Sequence, residues 1–219
     1  MPVNNTEPLS VYAAGPGYAP CLAAMILDSS RAHRLRGFIE HILGLPRPKA
    51  LRLLARLAAH PAQLCGRIGN AYVALVDGVC SGMVTVRPAG RLEEFPFSPG
   101  ALAEAGAAER LDRAWLEGAL ERQRAFTGAL SGERSPAPAG TWFVEYLAVR
   151  YENRSAGVAR ALLGRVAAEV GATGGNALEL YCEAGNLRAE AMCAALGFEP
   201  EGPPASTEAW GLRLMRKML

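Results

Sequence analysis

Apolar residues along the chain fall into short runs and helical patterns that alternate from end to end. In the longest run, Thr141–Val149, every residue is aliphatic, aromatic or β-branched except Glu145. Such a run is typical of a strand buried on both faces. The polar segment Arg150–Ser155 ends it, and the pattern from Ala156 to about Val170 is helical. We therefore predict a central unit of strand, turn and helix.

Further strands are predicted on both sides of this unit. The clearest are Ala71–Val76 and Val79–Val86, because Asp77-Gly78 between them is the signal for a type I′ hairpin turn. Ala177–Cys182 follows the central helix, Trp210–Met218 alternates as a closing strand, and Leu9–Ala13 is a weaker candidate. Since strands and helices interleave and hairpins occur at both ends, we expect a mixed sheet.

Three helical patterns accompany these strands. Cys21–Leu43 predicts one helix or two, with Asp28–Ser30 as the break, and Lys49–His60 predicts a short amphipathic helix. Near the C-terminus, Asn186 is placed to cap a helix over about Leu187–Leu196. These helices would cover the two faces of the sheet.

A longer helical stretch, Ala101–Leu130, precedes the central strand. Leu111, Trp115, Ala119 and Phe126 fall near one stripe of it. An apolar stripe is normally buried, so we favour an extra structural layer or a dimer contact over a lid on a binding pocket.

Composition describes an ordinary globular chain. At 219 residues it is long enough for one sizeable core, and we expect a single domain spanning residues 1–219. A net charge of +2 indicates no polyanionic partner, so nucleic acid is not expected. Residues Arg31–Arg67 nevertheless carry eight Lys or Arg and one acid, Glu40. Within this region, Lys49, Arg52 and Arg56 form a basic stripe on the predicted helix Lys49–His60. Such a stripe is most often a solvated face, and the alternative is attraction for an anionic group.

The ends and the cysteines indicate a cytoplasmic protein. The N-terminal residues have no Lys or Arg before Arg31 and no long apolar core, so no signal peptide is expected. No segment approaches the roughly 20 apolar residues that span a bilayer. The five cysteines are odd in number and form no Cys-x-x-Cys pair, which favours reduced thiols. The three histidines have no metal-ligand spacing, so no metal is expected.

The turn after the central strand is a candidate anion site. Gly157 stands where the helix begins, and the first amides of a helix have no partner inside it. The alternative is an ordinary strand–helix unit whose glycine only permits close packing.

The same residues carry a family resemblance. Arg154-Ser155-Ala156-Gly157-Val158-Ala159 matches the Arg/Gln-x-x-Gly-x-Gly/Ala signature of the GNAT superfamily of acyl-CoA N-acyltransferases. Leu147–Val149 lies where that family's fourth strand runs into the loop, and the matched pattern continues through Asn186 to Gly197-Phe198. Over about Trp142–Phe198 the chain therefore resembles a GNAT enzyme.

The resemblance implies a fold and a cosubstrate. The fold would be α/β, a central mixed sheet flanked by helices, with residues 101–130 as a helical insertion. The enzyme would transfer acetyl from acetyl-CoA to a primary amine of a small molecule or peptide. The residues implied to bind the cosubstrate are Leu147, Ala148 and Val149 for the pantetheine and thioester, Arg154, Ser155, Ala156, Gly157, Val158 and Ala159 for the pyrophosphate, and Asn186, which contacts it or only caps its helix.

Glu145 is the candidate catalytic base. An acceptor amine arrives as an ammonium ion and must lose a proton before it attacks, and a partly buried carboxylate suits that task. Several GNAT enzymes use a carboxylate on this strand. The equal alternative is a glutamate paired with an arginine.

One position departs from the family. The Asn-x-x-Ala-x-x-x-Tyr pattern is met at Asn186 and Ala189, but Cys193 replaces the tyrosine that serves as the acid for the departing thiolate. Tyr146, Tyr151 and Tyr181 are other candidates for that acid, and Cys193 reads as a small buried apolar residue. The missing tyrosine keeps a second hypothesis open, a catalytically degenerate acyl-CoA-binding sensor or partner subunit. A third is an adaptor that uses the basic region Arg31–Arg67.

Overall fold

A mixed sheet runs through the molecule and carries helices on both faces. The computed structural model describes residues 9–90, 95–131, 137–202, 205–206 and 211–219. Within them the strands are β1 (Ser10–Ala13), β2 (Ala71–Val76), β3 (Val79–Pro88), β4 (Thr141–Val144), β5 (Ala148–Val149), β6 (Ala177–Glu183), β7 (Glu199–Pro200), β8 (Ala205–Ser206) and β9 (Gly211–Met218). The helices are α1 (Ala19–Arg31), α2 (Phe38–Leu43), α3 (Arg47–Ala59), α4 (Pro99–Ala108), α5 (Arg113–Ser131), α6 (Val158–Ala172) and α7 (Leu187–Ala195).

The sheet has the predicted mixed topology. Its strand order is β1-β2-β3-β4-β6-β9-β7, with β5 paired to β3 and β8 paired to β9. Strands β4 and β6 are parallel and are joined through α6, whereas the other described pairs are antiparallel. The α/β class and the GNAT-like arrangement are confirmed.

The predicted hairpin is also confirmed. Val76 pairs with Val79, and between them Asp77 and Gly78 have φ angles of 51° and 71°. Two successive residues with positive φ define the type I′ turn, whose twist matches that of the flanking strands.

The central strand is not continuous, and this prediction was wrong. Strand β4 ends at Val144 and β5 begins at Ala148. Between them the amide of Glu145 donates to the carbonyl of Thr85 at 2.9 Å, so the chain stays against β3 although it leaves regular pairing. Apolar run length cannot reveal such a break, because the residues on either side remain apolar.

Strands β4 and β6 part at the same place. Their described pairing runs from Thr141 opposite Ala177 to Phe143 opposite Glu179. Past this point β4 gives way to the break while β6 continues to pair with β9 up to Glu183. The sheet therefore opens between its two parallel strands.

The break between the first two helices lies later than predicted. Asp28–Ser30 is inside α1, where the hydroxyls of Ser29 and Ser30 bond back to the carbonyls of Ile26 and Leu27 at 3.0 and 2.8 Å. Such back-bonding lets serine sit within a helix. The true break is at residues 32–37, where Ala32 has a φ of 51°.

The insertion folds as α4 and α5 and packs as a structural layer. Phe126 of α5 is buried and stacks on Phe38 of α2 with ring centroids 4.7 Å apart. The indole N–H of Trp115 donates to the carbonyl of Leu43 at 2.8 Å. The apolar stripe of α5 therefore packs against other parts of the same chain.

Much of the basic region is neutralised locally. Arg52 and Arg56 both donate to Glu109 of the insertion, at 3.0 and 2.8 Å, and Arg47 pairs with Asp28 at 2.9 Å. The helix α3 therefore carries less unpaired charge than its sequence indicates.

The cysteine prediction was wrong for one pair. Cys21 of α1 and Cys80 of β3 are joined in a disulfide, while Cys65, Cys182 and Cys193 are free. The two partners lie 59 residues apart in sequence. Only the packing of α1 against β3 brings them together, so spacing along the chain could not indicate the bond.

Candidate active site

The loop between β5 and α6 forms the mouth of a cleft. A short turn, Tyr151–Asn153, leads to Arg154, and Gly157 caps α6 with a φ of 81°. A Cβ built on Gly157 would meet nothing within 4 Å. The first amides of α6 have no partner inside the helix, so an anionic group can approach them closely.

A cleft of about 820 Å³ lies against this loop. Its lining includes every residue predicted to bind the cosubstrate except Ala156: Leu147, Ala148, Val149, Arg154, Ser155, Gly157, Val158, Ala159 and Asn186. Further lining comes from α1 and the residue after it: Cys21, Ala24, Met25, Asp28, Ser29 and Ala32.

The cleft carries more positive than negative side chains. Four arginines line it, Arg150, Arg154, Arg160 and Arg188, against Asp28 and Glu152. Arg188 of α7 reaches the hydroxyl of Ser155 at 3.4 Å and so links α7 to the loop. This charge and the open α6 amides fit a molecule that carries several phosphates.

Asn186 caps α7 and also lies on the cleft wall. Its Oδ1 accepts from the amide of Ala189 at 3.3 Å, so the predicted cap is confirmed. Asn186 also lines the cleft.

The cleft continues into the opening between β4 and β6. A cavity of about 160 Å³ lies there, between the β4–β5 break and the end of β6. It shares six lining residues with the cleft: Ser29, Ala32, Leu147, Asn186, Ala189 and Met192. An extended arm that starts at the α6 amides can therefore reach the middle of the sheet.

Glu145 lines this cavity as the partner of an arginine. Its side chain is 1% exposed, and its Oε1 accepts from Nε of Arg87 at 2.7 Å. Its Oε2 accepts from the amide of Gly66 at 2.7 Å and from the hydroxyl of Thr85 at 3.0 Å. The ion pair with an arginine, which a purely structural role for Glu145 would require, is therefore present. The carboxylate also forms part of the cavity wall.

The negative charge of Glu145 contributes to the pKa shifts of neighbouring groups. Burial, and then the negative charge of Glu145, raise the pKa of the Cys65 thiol. Burial tends to lower the pKa of Arg87, but Cys65 and Glu145 outweigh it and the net pKa is raised. Burial also raises the pKa of Tyr146 well above its usual value, and its hydroxyl has no hydrogen-bond partner among the described residues.

A second carboxylate lies across the cavity, and sequence reasoning missed it. Glu183 ends β6 with a side chain 5% exposed, and its Oε1 accepts from Nε of Arg34. Nδ1 of His33 lies 3.9 Å from its Oε2. The available sequence signal for Glu183 was a charged residue at the end of a buried strand. Residues 32–37, however, were not predicted to form a loop that reaches Glu183.

Cys193 lies on the cavity wall beside another cysteine. Cys193 of α7 and Cys182 of β6 are 2% and 5% exposed, and both line the cavity. Interaction with the Cys182 thiol lowers the pKa of Cys193, whereas interaction with Cys193, and then burial, raise that of Cys182. Sγ of Cys182 lies 3.8 Å from the carbonyl oxygen of Glu183, to which it donates. The sequence indicated no means of lowering the pKa of Cys193, and the interaction with Cys182 supplies one.

The candidate tyrosines occupy different places. Tyr146 and Tyr181 line the cavity, and the ring of Tyr181 packs edge-on against Phe143 with centroids 5.4 Å apart. Tyr151 lines the cleft and is 78% exposed. The two cavity tyrosines are the ones near the point where the sheet opens.

Comparison with known proteins identifies the family. The model of the acetyltransferase (GNAT) family matches residues 50–198, which span the hairpin, the insertion, the loop before α6 and Asn186. The chain belongs to this family. No curated protein is a significant match to the sequence.

Solved structures agree on the fold. An acetyltransferase is 17% identical and covers 95% of this chain and 98% of its own, with a TM-score of 0.66. An N-acetyltransferase from Staphylococcus aureus Mu50 is 14% identical over 94% of this chain and 99% of its own, with a TM-score of 0.64. The ribosomal-protein-S18-alanine N-acetyltransferase from Escherichia coli is 12% identical over 96% and 94%, with a TM-score of 0.51. At these identities the likeness concerns the fold alone.

The described residues contain neither a membrane-spanning helix nor a metal-binding group. No helix there combines the length and the apolar character needed to cross a membrane. No group of three or more His, Cys, Asp or Glu side chains in the same ranges is placed to hold a metal ion.

Proposed function

We propose that this protein is an N-acetyltransferase that moves the acetyl group of acetyl-CoA directly to a primary amine within a ternary complex. The observation that carries the proposal is the continuous path from the α6 amides, through the cleft, into the cavity between β4 and β6. A phosphate site at one end and a carboxylate-lined cavity at the other suit a cosubstrate with a diphosphate head and a reactive thioester tail.

Different residues along this path would bind different parts of the cosubstrate. The amides from Gly157 onward and the arginines of the cleft would hold the phosphates, and the backbone of Leu147–Val149 would hold the pantetheine arm. Leu147 lies in the β4–β5 break, and among the described residues β5 pairs with β3 on one side only, so backbone polar groups on its other edge are available to a ligand. When bound, acetyl-CoA supplies an activated acyl group, and the protein positions the amine against it.

Glu145 remains the proposed base and Glu183 joins it as a second candidate. Both carboxylates line one cavity, together with the aromatic rings of Phe38, Phe95 and Phe143. Arg87 and Arg34 already pair with them, so the carboxylate oxygens would receive an ammonium ion as hydrogen-bond acceptors and suit it better than an acid. The acceptor we propose is accordingly a cationic small molecule or an amino group of a peptide.

Ligand binding and turnover together test the proposal. Acetyl-CoA and CoA should raise the melting temperature by mass action, since each would bind the folded state alone. A panel of primary amines should then release CoA thiol in the presence of acetyl-CoA. Binding without thiol release from any amine would favour the acyl-CoA sensor instead. A shift with nucleic acid and none with CoA would favour the adaptor.

A further inference from the structure

Two thiols face the place where a bound CoA sulfur would lie. Cys182 of β6 and Cys193 of α7 both line the cavity. Both side chains belong to one packed cluster of buried residues, so the two thiols share the wall of one small cavity. Both are free cysteines in the structure.

The cleft directs a third sulfur toward this pair. A cosubstrate whose diphosphate lies at Gly157 extends its arm past Leu147 and Met192, which line cleft and cavity alike. The arm ends in the cavity that Cys182 and Cys193 line. This step rests on the proposed function, because it takes the cleft to be the CoA site.

We propose that Cys182, Cys193 and the thiol of bound CoA form a three-sulfur redox site, in which Cys193 takes CoA in a mixed disulfide and Cys182 releases it. The site would respond to a peroxide, an oxidant small enough to enter a cavity of about 160 Å³. The product of the proposed reaction, free CoA, is the form that carries the required thiol, whereas acetyl-CoA has its sulfur blocked.

The chemistry balances in three steps. The Cys193 thiolate attacks one oxygen of hydrogen peroxide; the O–O bond breaks, the other oxygen leaves as hydroxide and is protonated to water, and Cys193 becomes a sulfenic acid. The CoA thiol then displaces the hydroxyl of that sulfenic acid as a second water and forms the mixed disulfide. Finally the Cys182 thiol attacks the Cys193 sulfur, expels CoA as a thiol and leaves a Cys182–Cys193 disulfide. In total two protein thiols and one peroxide give one disulfide and two waters.

Cys193 is assigned the first attack for two reasons. Its thiolate is the one that the neighbouring thiol stabilises, and thiolates are the reactive form. Cys193 also stands where the family has the tyrosine that protonates the departing CoA sulfur. Cys65 provides an internal comparison, since it is free and buried but lines neither the cleft nor the cavity among the described residues.

Peptide mass spectrometry tests the site. Trypsin cuts after Arg188, so Cys182 and Cys193 leave the protein on different peptides. A Cys182→Ser protein treated with hydrogen peroxide and CoA should carry CoA on the peptide that contains Cys193. With acetyl-CoA in place of CoA the same protein should carry at least about tenfold less, because the adduct needs a thiol held beside Cys193. Wild-type protein should instead give the Cys182–Cys193 cross-link and no lasting adduct.

The controls separate this inference from the CoA assignment. Cys65→Ser added to Cys182→Ser should leave the adduct yield unchanged, and Cys193→Ser added to it should abolish the yield. If CoA raises the melting temperature of Cys182→Ser but no adduct forms, the three-sulfur site is wrong and the CoA cleft stands. Equal labelling of Cys65 would also overturn it. If CoA causes no shift in wild-type protein, the proposed function itself fails.

Discussion

Nε of Arg87 lies 2.7 Å from Oε1 of Glu145, in an ion pair whose two side chains are 10% and 1% exposed. The pair joins β3 to the break between β4 and β5, at the wall of the cavity. A buried pair of this kind fixes both partners, because removing one leaves the other charge uncompensated. Glu145 is therefore held in place, whether it takes a proton or only shapes the opening of the sheet.

Glu145→Gln separates these two roles. If Glu145 is the base, the variant should still bind acetyl-CoA, while turnover of a good amine should fall by about 10²–10⁴. The loss should narrow at high pH, because more of the acceptor is already neutral there. Steady-state rates between pH 6 and pH 10 provide the measurement.

A matched control for Glu145→Gln is Thr85→Val. It removes the 3.0 Å hydrogen bond to Oε2 of Glu145 but leaves the carboxylate. It should cost about 1 kcal/mol of unfolding free energy and retain most turnover. Wild-type rates for Glu145→Gln at every pH would assign Glu145 to structure and leave Glu183 as the carboxylate to substitute next.

The loop that brings Arg34 to Glu183 is held at its base by Arg31 and Glu40. Nε of Arg31 lies 2.7 Å from Oε2 of Glu40, Nη2 lies 2.5 Å from Oε1, and the amide of Gly37 donates to Oε2 at 2.9 Å. The hydrogen bond from Arg31, and after it the Gly37 amide, hold the pKa of Glu40 below its usual value although burial acts the other way.

This pKa shift predicts a pH-dependent stability. Because the folded-state pKa of Glu40 is the lower one, its contribution is complete above the unfolded-state pKa and is lost as pH falls through the folded value. Glu40→Gln should therefore cost about 1 kcal/mol near pH 7 and less near pH 3. Urea unfolding at the two pH values measures the difference.

An exposed pair provides the comparison for Glu40→Gln. Arg113 and Glu117 lie on one face of α5 and are 90% and 62% exposed. Glu117→Gln should change stability little at either pH, since exposed ion pairs contribute little. An equal cost for Glu40→Gln at both pH values would mean that packing, not charge, accounts for it.

The elements and the loop before α6 were predictable because their signals are local. Hairpin chemistry at Asp77-Gly78, a cap at Asn186 and a glycine at the start of α6 each depend on a few neighbouring residues. The break after Val144 was not predictable, because the apolar run continues through it. The Arg34–Glu183 pair and the Cys21–Cys80 disulfide each join distant segments, which periodicity does not report.

Gly157→Trp should abolish the thermal shift caused by acetyl-CoA. The indole would occupy the open space beside the first α6 amides and keep phosphates away from them. The positive φ of Gly157 also strains any side chain, so the variant should melt lower than wild type. Thermal melts with and without acetyl-CoA distinguish lost binding from lost stability.

Gly174→Trp is the matched control. Gly174 follows the other end of α6, with a φ of 82° and likewise nothing within 4 Å of a built Cβ. It should lower the melting temperature by a similar amount yet keep the shift with acetyl-CoA. An undiminished shift in folded Gly157→Trp would remove the pyrophosphate assignment.

Cys193 should be dispensable for acetyl transfer even though it lies beside the expected thioester. A CoA thiol has a pKa near the cysteine range, about 8–9, so it can leave as a thiolate with help from water or backbone dipoles. Cys193→Ala should therefore keep most turnover, and any loss should be accompanied by a lower melting temperature, because the side chain is buried. Amine-dependent thiol release and thermal melts of this variant are the measurements.

Cys193→Tyr is the sharper test, because it restores the family's residue on the cavity wall. The cavity of about 160 Å³ has room for part of the ring, so turnover should hold or rise while the peroxide-dependent CoA adduct disappears.

Unchanged turnover in Cys193→Ala would agree with a leaving thiolate that needs no side-chain acid. If Cys193→Ala instead loses catalysis while acetyl-CoA still raises its melting temperature, the thiol takes part in the chemistry. The Cys182–Cys193 contact, which favours the Cys193 thiolate, would then be the first feature to substitute in search of the proton's path.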